Sequence, residues 1–589
     1  MSGPKVSKHP QQKAMRLRMD EIRIPWAEYR AFLRARREEG GVRAGQEAEP
    51  LALIREKIAR KLGRGARPED VRDLTLVRKS VDARDKKALK IVFAADFTFA
   101  GKLPGAKGHK GPGLQPAPDL TYQMARPQEG ALPLRTRPVI AGFGPCGIFA
   151  AYVLARQGYR PIVLERGGSM ESRVAAVEAF RERGVLDPEC NVQFGEGGAG
   201  TFSDGKLTTG IKDPRIRFVL ETFAAAGADP AILYDQKPHV GTDVLRVVVR
   251  NLRDEIIACG GTVLFGCRLE DPGKAQAEGG VRKVRVHCTD PKSLAWLQAW
   301  PEAEQVGGAE PSEADLLLPA EVLVLAIGHS ARDTFATLHS EGFSMEQKAF
   351  SIGVRIEHPQ AWIDAAQYGE EVAAEGLLPP ASYKLAMHTE EGRGVYTFCM
   401  CPGGEVICAS SEPGGLVTNG MSEHARATGR ANSGLLVDVR PSDFGDPDDP
   451  LAGVAFQRKY ERLAFENGGG NYRIPEATWG AVRDGLPEGA PVIRSLPDFA
   501  VSAIREAMPV FGRRLKKFDD EEAVFRATET RSSSPVRILR DPGSLEAIDR
   551  PGIFPGGEGA GYAGGITSSA CDGIRIAEQI IRKWEKPQG

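Results

Sequence analysis

Apolar and polar residues alternate from Leu17 to Ile24, a period of two that predicts a strand. The segments Trp26 to Arg37 and Pro50 to Leu62 shift to a period near 3.6 and predict helices. Leu74 to Ser80 and Ala88 to Phe97 then read as a strand pair across the polar turn Asp82 to Lys87. Together these predict a small α+β domain over 16–100, behind a disordered tail at 1–15. Residues 101–136 are rich in Gly, Pro and polar side chains, with Gly105, Gly108, Gly111 and Gly113 in quick succession, and read as a linker.

The pattern changes at Arg137. A fully apolar strand, Val139 to Ala141, runs into Gly142, Gly144 and Gly147 at G-x-G-x-x-G spacing and then into the helical segment Ile148 to Gln157. In such a unit the first glycine permits the tight turn, the second lets the backbone approach a pyrophosphate, and the third lets helix pack on strand. Pro145 and Cys146 lie inside the turn, and the helix start offers free N–H groups to the diphosphate. A second strand, Pro161 to Leu164, ends in Glu165, whose carboxylate suits the adenosine ribose hydroxyls and would repel a 2′-phosphate. Arg166 follows it. The fingerprint alone fits FAD or NAD.

Two further glycine clusters refine the picture. Gly195 to Lys206 lacks the flanking strands of a second nucleotide fold and reads as a loop against a phosphate or flavin ring, with Gly197, Gly198, Ser203, Gly205, Lys206 and Leu207 as cofactor contacts. Gly559, Gly561 and Gly564 repeat the G-x-G-x-x-G spacing, but too little chain follows for another βαβ unit. They read instead as the closing strand and helix of the first domain, with Gly557, Glu558, Gly564, Gly565 and Ile566 at the cofactor. Val322 to Ile327 is a buried-type strand ending at Gly328, also placed at the cofactor.

The predicted fold class is therefore α/β: a doubly wound, Rossmann-like dinucleotide domain over 137–344 and 526–589, interrupted by a mixed α+β substrate or cap domain over 345–525. Gly394 to Met400 and Val406 to Ser410 are strand-like within the cap, and Thr289 to Pro319 reads as a surface insertion.

Charge and cysteine content adjust this reading slightly. The chain of 589 residues is neutral overall, but residues 1–110 hold an excess of 13 Lys and Arg over Asp and Glu. Without aromatic interleaving or a zinc pattern, a nucleic-acid partner is not the favoured reading of that excess, which also suits a small solvated domain. No apolar run is long enough for a membrane helix, the start has no secretory h-region, and the nine cysteines read as reduced thiols. The expected location is cytoplasmic, and the oligomeric state is left open.

Several strings resemble a known family, the uncharacterised FAD-dependent dehydrogenases related to glutathione-reductase-type flavoproteins. They are Phe194 to Leu207, Ala326 to Asp333, Cys399 to Gly404, Val417 to Met421, Glu529 to Pro535 and Pro555 to Asp572, with Arg78 to Arg84 in the N-terminal domain. The resemblance spans roughly residues 70 to 585. It implies FAD as the cofactor, with Glu558 where related flavoproteins have Asp, and it implies no particular substrate.

Candidate chemistry gathers at five residues. His329, directly after the buried strand, can serve as a proton donor. Cys399 and Cys401 have C-x-C spacing, which puts both sulfurs on one strand face; they can relay electrons or merely pack. Glu529 and Arg531 can orient and clamp a substrate carboxylate or form a structural ion pair, and Arg426 and Asn432 are similar cases. No metal site is expected. The leading expectation is an FAD-dependent oxidoreductase exchanging a hydride with a small organic substrate, any nicotinamide donor binding transiently. The alternatives are a flavoenzyme acting on RNA through its basic N-terminal domain, and a non-catalytic redox sensor.

Overall fold

The structure, a computed structural model, describes residues 15–38, 49–101, 113–273, 281–307, 313–548 and 550–587. Apart from Met15, the expected tail lies outside these residues, as do residues 102–112 of the expected linker. The described residues up to Thr121, with Pro230–Pro238, form one compact unit, and the described remainder forms another.

The first unit is built as its periodicity predicts. β1 (Arg16–Pro25) leads directly into α1 (Trp26–Glu38), α2 (Leu51–Leu62) follows, and β2 (Val71–Asp82) and β3 (Lys90–Phe99) pair antiparallel. Two features depart from expectation. β4 (Leu114–Pro116) lies within the expected linker and pairs with the edge of β1, giving the sheet order β2-β3-β1-β4. Residues 230–238, expected within the dinucleotide domain, belong to this unit: Lys79 N–H donates to Tyr234 O (2.7 Å) and Lys79 O accepts from Gln236 N–H (2.9 Å).

In the second unit the chain forms β5 (Val139–Ala141), α3 (Pro145–Arg156), β6 (Ile162–Leu164), α4 (Met170–Arg183) and β7 (Thr262–Leu264). It continues through β8 (Cys267–Asp271), β9 (Arg282–Cys288), β10 (Glu304–Gly307), β11 (Ala314–Ala320) and β12 (Leu323–Leu325). Next come β13 (Met345–Gln347), β14 (Phe350–Pro359), β15 (Ala386–His388), β16 (Gly394–Cys401), β17 (Glu405–Cys408), β18 (Thr418–Met421) and β19 (Arg430–Val439). β20 (Glu476–Thr478), β21 (Val524–Glu529), β22 (Val536–Ile538) and β23 (Ile553–Pro555) precede a final helix, Ile566–Lys583.

The parallel sheet has the order β23-β12-β5-β6-β7, so the closing strand of the sequence sits beside the strand that ends at Gly328. α3 and the final helix pack so closely that a Cβ on Gly573 would lie 2.1 Å from Cys146 O. The other sheet face is covered differently from a doubly wound fold. Val139, Ile162 and Leu323 share a core cluster with Val284, Val286, Leu316 and Leu318 of the antiparallel sheet β10-β11-β9-β8. The expected surface insertion 289–319 supplies two of those strands and the helix Pro291–Ala299. In β11 the buried Ala314, Leu316, Leu318 and Ala320 alternate with the half-buried Asp315, Leu317 and Pro319, so the strand is one side of a packed layer and not a surface insertion.

The cap is a six-stranded sheet of order β15-β16-β19-β14-β21-β20. β21 runs across the expected 525/526 boundary, because Val524 to Glu529 is needed to cover β14 on one side while β19 covers the other. Among the described residues no helix is long and apolar enough to cross a membrane.

Candidate functional site

The dinucleotide turn is fixed by backbone crowding. Gly142 has φ +101°, and a Cβ there would lie 2.3 Å from Ala326 O. A Cβ on Gly147 would lie 2.0 Å from Gly142 O. Gly144 differs: its φ is −83°, and a Cβ would meet nothing nearer than Gly198 Cα at 3.7 Å. The protein alone does not require glycine there; a ligand at the start of α3 would. Pro145 occupies the first helical position, where a missing N–H costs nothing. Cys146 is buried between the final helix and Gly556–Gly557, and burial holds its thiol well above the ordinary range, which marks it as a packing residue.

Glu165, buried at the end of β6, organises two loops at once. Its Oε2 accepts from Phe143 N–H (2.8 Å), and its Oε1 accepts from Gly167 N–H (3.0 Å) and Gly195 N–H (2.9 Å). A carboxylate has about four acceptor positions, so one remains for a ribose hydroxyl. Glu165→Gln turns one of these acceptors into a donor facing N–H groups. We expect FAD affinity to fall at least about tenfold, in proportion to one lost charge-assisted hydrogen bond, measured by flavin fluorescence titration of the apoprotein. Arg166, expected at the cofactor, instead has its guanidinium committed to Glu189 and Asp333 (both 2.9 Å), lying 4.2 Å from the Phe194 ring centroid.

The loop from Gly195 is likewise bound up in the protein more than its glycines suggest. Gly197 N–H donates to Phe143 O (2.9 Å), Gly198 N–H to Gly195 O (2.9 Å), and Gly205 N–H to the Ser203 hydroxyl (3.0 Å). Ser203 itself donates to Gly200 O (2.6 Å). Side chains at Gly197 and Gly205 would strike Thr201 and Leu245, so these glycines serve packing. The buried Arg173 spans the loop by donating to Asn191, Val192, Gly195 and Glu196 carbonyls. Leu207 O accepts from Thr567 Oγ1 (2.8 Å), tying the loop to the final helix behind Gly565 and Ile566. Gly557 N–H donates to Asp572 (2.9 Å), which Arg540 holds in a buried ion pair (2.7 Å).

The residues present fit FAD. Beside Gly144, a Cβ on Gly328 or Gly564 would meet nothing within 4 Å, so three separate turns border open space. The His329 Nε2 is buried with no protein partner, and Nδ1 lies 3.8 Å from Glu558 Oε1. Burial, then the Arg531 and Arg332 charges, bring the His329 pKa down to about 3, so the ring is neutral. Burial raises Glu558 to about 7 against the opposing pull of Lys348.

Across from these, the cap presents Cys399, Cys401, Glu529 and the fully buried Arg355. Arg355 Nε lies 2.6 Å from Glu529 Oε2, while its Nη1 donates to Cys399 O (2.8 Å) and its Nη2 to Asn419 (3.0 Å). Asn432 accepts more weakly from Arg355 Nη1, at 3.3 Å. Gly420 leaves the room the guanidinium needs, since a Cβ there would lie 2.7 Å from it. Burial raises Glu529 to about 7 even with this partner. Cys399 interacts electrostatically with Glu529, Glu558, Lys206 and Arg355, and His329, 3.8 Å from Glu558, also feels the Arg531 charge.

Arg531 is committed to other partners. It does not pair with Glu529: it donates to Glu461 (2.9 Å), Ser411 (2.6 Å) and Ser330 (3.0 Å). Arg332 approaches the same Glu461 from its other side (2.7 Å). Arg426 grips the buried Asp204 (2.6 Å). Arg355, Glu461, Arg332 and Lys348 were missed from the sequence. An arginine flanked by the apolar Val354 and Ile356 was a legible signal for the first of them; the others carry no local mark.

Residues 349–532 match the model of the family described as FAD-dependent protein, C-terminal domain-like, and residues 44–98 match a domain of unknown function. An uncharacterised protein of Clostridium beijerinckii is 43% identical over 561 residues, covering 92% of this chain and 98% of that one. Among solved structures, glycine oxidase from Geobacillus kaustophilus is 11% identical, covering 77% of this chain and 96% of that one, with a TM-score of 0.32. Thermovibrio ammonificans THI4 is 19% identical over 36% of this chain and 67% of that one, with a TM-score of 0.21. Likenesses so slight carry no argument about this chain. The cofactor is FAD. Sharing 43% identity over nearly the full length of both chains, this protein belongs to the same family as the Clostridium beijerinckii protein.

Proposed function

We propose that the protein is an FAD-dependent oxidoreductase of the dehydrogenase or reductase type, acting on a small organic substrate held between the parallel sheet and the cap. The observation that carries this reading is the convergence of His329, Glu558, Glu529 and Cys399, all with displaced proton affinities, beside turns whose glycines border open space. FAD, when bound, supplies the hydride chemistry. The chain's own residues position the substrate and handle its protons. Neutral His329 offers a ring nitrogen with no protein partner, and Glu558 is poised to hold or give a proton near neutral pH. A nicotinamide donor binds transiently in this reading.

The test is anaerobic bleaching of the flavin with NADH, with NADPH and with a pool of metabolites. Bleaching by one donor supports the proposal; a yellow protein that no donor reduces overturns it in favour of a redox sensor. If Glu558 delivers a proton, the rate holds below pH 7 and falls above it, since the raised carboxyl loses its proton there. Glu558→Gln abolishes that limb of the pH profile.

A further inference from the structure

We infer that Cys399 and Cys401 form a redox-active dithiol that takes a disulfide as its substrate, with Cys399 as the attacking sulfur and FAD as the source of its electrons. The inference rests on the oxidoreductase reading and names its substrate class.

The local backbone favours the pair. Phe398 faces Gly434 and Cys401 faces Asn432, so β16 carries an extra residue at this point, and Cys399 takes the left-handed φ of +42°. In a regular strand, residues two apart are separated by about 6.6 Å, near the upper end of the roughly 4.4–6.8 Å that a disulfide bridges. A left-handed residue in place of an extended one shortens that distance. Arg355 Nη1 holds the bulge by its bond to Cys399 O, to which the Cys401 thiol also donates (3.3 Å).

The two sulfurs are also unequal in the way thiol–disulfide exchange requires. Cys399 is half-buried and Cys401 fully buried, so an incoming disulfide meets Cys399 first. The neighbouring Cys401 thiol, then Lys206 and Arg355, hold the Cys399 thiol below its ordinary range, while Cys401 is held above it. The contrasting pair is Cys267 and Cys288, whose sulfurs lie 3.1 Å apart within the core cluster, both fully buried, where no substrate reaches them.

The Cys399 thiolate attacks one sulfur of R–S–S–R, forming the mixed disulfide and releasing RS⁻, which takes a proton from solvent. Cys401 attacks Cys399 Sγ and releases the second RSH, which carries away the Cys401 proton. The pair has lost two electrons as its own disulfide. When bound, FAD in its reduced form would supply the two electrons and one proton that restore the Cys399 thiolate and the Cys401 thiol, with a reduced nicotinamide dinucleotide as the source of the hydride.

To test this, the full-length FAD-loaded protein is photoreduced anaerobically without nicotinamide and mixed with bis(2-hydroxyethyl) disulfide. Flavin absorbance is expected to return with release of two thiols per FAD. Cys399→Ser should fall to the rate of free reduced flavin, and Cys401→Ser should trap the mixed disulfide on Cys399, located by mass spectrometry. Wild-type flavin that stays reduced, or Cys399→Ser that reoxidises at the wild-type rate, overturns the inference. Alkylation of wild-type Cys399 followed against pH gives a check independent of the variants: a midpoint below the ordinary thiol range supports the assignment, and one at or above it overturns it. Photoreduction bypasses the donor, so failure of every donor to bleach the flavin counts against the oxidoreductase reading and not against the dithiol.

Discussion

Glu461→Ala is expected to lower the stability of the second unit by about 3–5 kcal/mol, the range for removing one partner of a buried ion pair. Glu461 is 1% exposed and accepts from Arg332 and Arg531, themselves 2% and 8% exposed, as well as from the Thr530 hydroxyl (2.7 Å). Removing the carboxylate leaves two guanidinium groups facing each other in a space that water does not reach. Arg531 keeps the neutral Ser330 and Ser411, while Arg332 keeps Gln457 and the half-buried Glu412 (3.0 Å), a carboxylate it shares with Arg458, so one shared charge is left against two buried guanidinium groups. Urea unfolding of the full chain at pH 7 measures the effect; a variant within about 1 kcal/mol of wild type, the scale of an exposed pair, would contradict this account. The pH dependence follows from the same geometry. Against the cost of burial, the two arginines hold Glu461 well below the usual carboxylate range. Its contribution is therefore present above the unfolded-state value and is lost as pH falls toward the folded-state value. The stability gap between wild type and Glu461→Ala should narrow on acidification below about pH 4.

The second large effect separates two glycines of one turn. Gly142→Ala places a methyl 2.3 Å from Ala326 O at φ +101°, so both overlap and backbone strain oppose it. We expect a loss of about 3 kcal/mol or more, with bound flavin lost as well. Gly144→Ala places a methyl where the nearest protein atom is 3.7 Å away, at a φ that any residue adopts. That variant should keep the wild-type unfolding midpoint as apoprotein yet bind FAD weakly. Thermal unfolding of both apoproteins and their visible spectra after FAD addition read the two effects separately. If Gly144→Ala binds FAD as wild type does, the cofactor backbone does not run past this turn.

Much was legible in local patterns because the physics behind them is local. The apolar run Val139–Ala141 into spaced glycines, the acid at Glu165 and the run ending at Gly328 all mark short parallel strands with a nucleotide turn, and each stands where expected. Glycine spacing, however, reveals only that a side chain is excluded. Gly142 and Gly147 are excluded by backbone, Gly197 and Gly205 by neighbouring side chains, and Gly144 by nothing in the protein. Which of these applies depends on atoms distant in sequence.

Charge pairing shows the same division most clearly. Glu529 and Arg531, two residues apart, invited a pairing with each other, yet each finds a partner elsewhere: Glu529 reaches Arg355, and Arg531 reaches Glu461. The sequence by itself determined four strands of the parallel sheet, the nucleotide turn and the residue types at the site, since periodicity, steric exclusion and turn chemistry act over a few residues. Only the tertiary structure decided that the described residues of Thr289–Pro319 join a packed layer, that β21 completes the cap, and which buried charge meets which. Those outcomes depend on desolvation, which a side chain experiences only once distant segments have closed over it.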